Sequence, residues 1–147
     1  MTTFNFRLQR VLDFRRTQFQ VVESECQRAA AKLHAIQAQQ ASLASQKAQT
    51  KKLFSGLPDV AGRDLLPLPA WFKWTETASS HLVQMERAAD QELQKRREAL
   101  VAAQRKVRLL EKLRDNKKAQ WQVEADRELE QLAADSINSR YARFRPK

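Results

Sequence analysis

The sequence predicts an all-α protein made of two long helices that form an antiparallel coiled-coil hairpin. Three observations predict it: where the helix breakers fall, how the apolar residues are spaced, and which residue types dominate. Both glycines, Gly56 and Gly62, and three of the four prolines, Pro58, Pro67 and Pro69, lie between positions 56 and 69. The fourth, Pro146, is next to the C-terminus. Each break costs about 1 kcal/mol for Gly and 3 for Pro inside a helix, so two long stretches free of both read as helices with one loop between them. The expected layout is a single unit over 1–147, with a helix over about 5–54, a loop over 55–69 and a helix over about 70–142.

The first helix carries its seam at Leu8, Leu12, Arg15, Phe19, Val22 and Cys26, then Ala29, Leu33, Ile36, Gln40 and Leu43, ending through Lys47 and Thr50 at Phe54. Steps alternate between four and three and average about 3.5 residues, the repeat of a left-handed coiled coil. The second helix runs from Trp71 and Trp74 through Ala78, Leu82, Met85, Ala89, Leu93, Arg96, Leu100, Ala103, Val107 and Leu110, then Arg114 and Lys117, to Trp121, Ala125, Leu129 and Leu132. Consecutive four-residue steps bring its average near 3.6, which implies weaker supercoiling. Lys51 and Lys52 suit the negative end of the first helix, Gly56 is placed to cap it in a left-handed conformation, and Pro69 fits the first turn of the second.

Composition closes off other classes. Charged residues make up 30% of the chain, and the net charge is +10. Such a balance favours acidic partners without choosing among them. One cysteine, Cys26, gives no internal disulfide and suits a reducing compartment. As a seam residue it reads as a small buried hydrophobe. No stretch approaches the roughly 20 apolar residues of a membrane span, and the first ten residues hold no signal-like apolar core, so a cytoplasmic protein is expected. His34 and His81 are the only histidines. With them and one cysteine there is no credible zinc or Cys–His set, and no Gly-rich phosphate loop is present. A two-helix hairpin also has no concave pocket to build a catalytic site in. No enzyme activity and no cofactor are expected.

What remains is a binding protein, and its ends carry the signal. Antiparallel pairing about the loop makes paired residue numbers add to about 124, so Leu8 falls near Arg114–Lys117 and Ile36 near Ala88–Ala89. Beyond about residue 118 the second helix has no partner in its own chain, leaving Trp121, Leu129, Leu132 and Ile137 uncovered. Residues 1–54 carry nine basic and three acidic side chains, net +6; residues 119–139 carry five acids against Arg127, net −4; Arg140, Arg143, Arg145 and Lys147 follow with no acid. Arg7, Arg10, Arg15 and Arg16 cluster at the same end. At the other end three large rings, Trp71, Phe72 and Trp74, follow the loop. Such rings most often fold over the end of the helical seam, but three cannot all face it: Phe72 points away from the other two, which leaves a partner contact as the second reading.

The opening Phe4-Asn5-Phe6-Arg7-Leu8-Gln9-Arg10-Val11-Leu12-Asp13-Phe14-Arg15 gives an aromatic followed by Leu-x-x-Val-Leu-x-x-Arg at the start of a basic coiled-coil hairpin. With the loop before the midpoint and the Leu109-Leu110-Glu111-Lys112-Leu113 stretch before a charged end, the chain resembles the FliJ family of flagellar type III export proteins and their injectisome relatives. The motif covers the first fifteen residues; the rest matches in pattern. The resemblance implies a cytoplasmic stalk-like coiled coil, peripheral at the inner face of the membrane through the export apparatus only. Its open end would enter the ring of the export ATPase FliI and promote its assembly and activity. Contacts with the export gate protein FlhA and with export chaperones are implied as well, and nucleic acid is not. On that resemblance the ATPase contacts fall on Phe6, Arg7, Arg10, Arg16, Trp121, Leu129, Tyr141 and Arg143, and the gate contacts on Gln40, Leu43, Trp71, Phe72 and Trp74. The loop, longer than a tight hairpin turn, departs from the simplest form of the pattern. The competing readings are a nucleic-acid-binding coiled coil and a self-assembling structural one.

Overall fold

A computed structural model describes residues 3–56 and 66–144. The expected loop positions 57–65, with Pro58 and Gly62, and the tail from Arg145 lie outside the described residues. Among the described residues there are two α-helices and no strand: α1, Gln9–Ser55, and α2, Leu68–Arg143. They pack against each other as an antiparallel helical hairpin. By contact the chain divides into two compact units, one of residues 1–19 with 103–147 and one of residues 20–102. They are called here the terminal unit and the loop-side unit.

The helix ends follow local chemistry, with two corrections. α1 starts at Gln9 and not near residue 5. The Gln9 amide donates to the Phe6 carbonyl at 3.0 Å and the Leu12 amide to the Leu8 carbonyl at 3.0 Å, so a turn precedes the first helical residue. Phe6 itself is buried. Its side chain is used for packing in the approach to the helix. At the other end Gly56 does not take a left-handed conformation. The Ser55 hydroxyl donates to the Lys52 carbonyl at 3.1 Å and satisfies one of the carbonyls a helix end leaves open. Pro69 lies in the first turn of α2 as expected, where its missing N–H has no intrahelical partner to lose.

The loop-side unit shows the expected seam. Ile36, Ala89 and Leu93 are buried, and Val22, Cys26, Ala29, Leu33, Leu43 and Leu82 are half-buried. Two positions differ: Met85, expected in the seam, is exposed with Glu86 half-buried beside it, and the turn before Ala78 exchanges one residue for its neighbour. The seam residue between Trp71 and Ala78 is Thr75, 1% exposed, while Trp74 is 60% exposed. Both choices keep a seven-residue repeat; the smaller side chain lets the helices approach, and the Thr75 hydroxyl is satisfied by donating to the Phe72 carbonyl at 2.7 Å. The register is visible in polar contacts across this seam. Arg96 meets Glu25 at 2.6 Å, and Gln37 and Gln40 donate to the two oxygens of Glu86 at 3.3 and 2.9 Å. These pairs scatter around the expected total of 124.

In the terminal unit Leu12 is fully buried, and Phe19, Val107 and Leu110 are half-buried. Arg16 pairs with Glu111 at 2.8 Å, in the same register.

Candidate protein-docking surfaces

The terminal unit presents the first surface. Phe4 packs its ring on Trp121, with centroids 5.9 Å apart and planes tilted by 51°. Trp121 is therefore half-buried by its own chain, and so is Ala125. This corrects the expectation that cover ends near residue 118: the aromatic segment before α1 extends it by about two turns of α2. From Asp126 to Phe144 every residue is exposed. That stretch of about 28 Å carries Leu129, Leu132, Ile137, Tyr141 and Phe144, the last two 76% and 84% exposed. Ile137, Arg140, Tyr141 and Phe144 line a shallow depression on it.

The sequence-predicted ATPase contacts accordingly separate into two groups. Leu129, Tyr141 and Arg143 stand on the uncovered stretch, and Arg7 and Arg10 are exposed at the start of the chain. Phe6 is buried, Trp121 is half-covered by Phe4, and Arg16 is engaged by Glu111, so these three hold the terminal unit together. The Arg16 pair has both side chains about 40% exposed, where an ion pair contributes little net stability but still fixes orientation.

The loop-side unit presents the second surface. A groove of about 540 Å³ runs between the helices, lined by Ser42, Leu43, Gln46, Trp74, Ala78, His81 and Leu82 among others. A second, of about 450 Å³, is lined by Thr50, Leu53, Phe54, Leu68 and Trp71. Of the expected gate contacts, Leu43 and Trp74 line the first groove and Trp71 the second. Gln40 is occupied by Glu86. Phe72 does not point away from its neighbour: its ring meets Trp71 edge-on with centroids 5.0 Å apart, and both are half-buried. The ring free for a partner is that of Trp74. The apolar spacing separated Trp74 from Phe72 the wrong way, with Trp74 in the seam and Phe72 outside it, because the phase of the seam here is set by Thr75.

Cys26 is a free, half-buried seam residue. Among the described residues no group of three or more His, Cys, Asp or Glu side chains could hold a metal ion, and no helix is long and apolar enough to cross a membrane. No protein-family model, no curated protein and no solved structure matches the chain. The fold and its surfaces define a class, a helical hairpin with one uncovered helix end and an interhelical groove.

Proposed function

We propose that this chain is a stalk-like coiled coil of a type III protein export apparatus, which binds the ring of the export ATPase FliI and promotes its assembly and activity. The observation that carries the reading is the end of α2, where nineteen consecutive exposed residues from Asp126 to Phe144 hold an apolar face with no own-chain cover. An apolar face of that length on a charged helix is suited to a ring or groove that surrounds it. The Phe4–Arg15 motif supports the same reading, as do Arg7 and Arg10, exposed in the same unit and able to meet acidic side chains. Charge complementarity of that kind mainly speeds encounter and sets orientation.

On this reading the protein is cytoplasmic and reaches the membrane only through the apparatus. The groove beside Trp74 would receive the gate protein FlhA, and export chaperones would compete for the exposed helix faces. The test is direct. Purified export ATPase at low salt should gain activity and hexamer content with micromolar protein, and lose the gain when Arg7 and Arg10 are both changed to Glu or the chain is cut after Ala125. Helical content of the arginine variant should be unchanged. An ATPase indifferent to the intact protein sinks the reading.

A further inference from the structure

The uncovered stretch of α2 is self-complementary. Its first half, 126–135, carries Asp126, Glu128, Glu130 and Asp135 against Arg127, net −3; its second half, 136–144, carries Arg140 and Arg143 and no acid, net +2. Basic residues in a last turn complement the helix dipole, but that alone explains neither the acidic half nor the apolar side chains. Leu129, Leu132, Ile137, Tyr141 and Phe144 all fall within one half of the helix circumference at 3.6 residues per turn. All five are exposed.

We propose that a second copy of this chain covers this face, antiparallel, about a twofold axis near Ser136 and Ile137. In that alignment Leu129 lies at the level of the copy's Phe144, and Leu132 at the level of its Tyr141. The two Ile137 side chains flank the axis. The acidic half of each copy lies along the basic half of the other, twice over, as an isologous interface requires. A parallel pair instead sets Glu128 and Glu130 beside their own counterparts and leaves Tyr141 and Phe144 among like-charged arginines. The antiparallel pair is thus the one in which charge and apolar pattern agree. Because the overlap is short, its buried area falls at the small end of specific interfaces and the dimer is weak and reversible. This inference does not depend on the identity of any other partner. A ring that engulfs the same face would displace the copy, so the two kinds of cover exclude each other.

Sedimentation of the full-length protein tests it. A monomer–dimer equilibrium is expected between about 1 and 300 µM, weakened about tenfold when Arg140 and Arg143 are changed to Glu, and weakened also by raised salt. The orientation is read with single cysteines in a Cys26→Ser background, under mild oxidation. Ser136→Cys, at an exposed polar position, should form a disulfide-linked dimer. Leu129→Cys should not, since its two copies stand about 22 Å apart along the pair. A strictly monomeric protein overturns the proposal, as does a dimer that survives truncation after Ala125. Crosslinking through Leu129→Cys as readily as through Ser136→Cys shows a parallel pair, in which every residue meets its own counterpart, and overturns it equally.

Discussion

In the loop-side unit the two helices cover each other over their whole shared length. Thr50, Phe54, Leu68 and Trp71 line one groove, and the seam continues through Leu43 with Leu82 to buried Ile36, Ala89 and Leu93. In the terminal unit α1 contributes only Gln9–Phe19, while α2 contributes everything from Ala103 to Arg143. The same apolar spacing therefore has two outcomes. Where a partner helix exists it becomes a seam. Where it ends, after the Phe4–Trp121 contact and Ala125, the same kind of residue is left facing outward. That contrast between covered and uncovered apolar side chains is what the proposed docking surface rests on.

The contrast is most easily broken in the loop-side seam. Leu93 is 4% exposed, and replacing it with Asp removes a buried isobutyl group and sets a charge in a narrow apolar seam. A loss of about 3 kcal/mol or more is expected, visible as a large drop in the urea midpoint followed by circular dichroism. A drop of under about 1 kcal/mol would mean the seam is not where the stability lies.

Most of the hairpin was legible because two rules suffice for it. Breakers confined to one stretch locate the loop, and a 3.5-residue repeat locates the seam; together they also give the register that Arg16–Glu111, Glu25–Arg96 and Gln40–Glu86 display. The misses arose where packing chose between equivalent local options. Thr75 and Trp74 fit the same repeat, and only the spacing between the helices selects the small residue. Phe6 fell inside the expected first helix, yet it precedes α1, and the ring of Phe4 before it extends cover along α2 in a way no helix count anticipates. Gly56 was available for a left-handed cap, but the Ser55 hydroxyl does the capping. The uncovered end was legible in outline, as the consequence of unequal helix lengths. Its boundary was not, since that depends on one ring meeting another.

Trp121 sharpens that boundary. Its half-burial against Phe4 predicts that Trp121→Ala costs about 1–2 kcal/mol, less than a core residue and more than a surface one. Phe4→Ala should cost about 1 kcal/mol and should also shift the indole emission of Trp121 to the red; resolving the shift needs a Trp71→Phe, Trp74→Phe background. An unchanged emission would place Trp121 with the uncovered residues after all.

Smaller still is the ion pair that orients the terminal unit. A double-mutant cycle on Arg16 and Glu111 should return a coupling of about 0.5 kcal/mol, because both side chains are about 40% exposed and solvent screens them. That coupling should fall in 1 M salt. Exchanging the two residues, Arg16→Glu with Glu111→Arg, should restore most of it. Glu25 and Arg96 in the loop-side unit have the same exposure and should behave alike, which makes them the internal control.

The smallest effect on stability is expected on the uncovered stretch. Leu132 is 66% exposed on the uncovered stretch, so replacing it with Asp removes almost no packing within one chain. Measured at about 1 µM, where any association through this face is negligible, its unfolding free energy should match that of the unaltered protein within about 0.5 kcal/mol. Leu93→Asp makes the identical chemical change with the opposite result, so the pair isolates cover as the variable. At a few hundred micromolar the two proteins should diverge, because the unaltered chain gains stability from association and the Leu132 variant does not. Stimulation of an export ATPase should fall in step with that lost association, since a ring and a second copy would both need the same apolar face. A Leu132→Asp protein as unstable as Leu93→Asp at 1 µM would show that the end of α2 is packed against its own chain, and both the docking surface and the dimer would go with it.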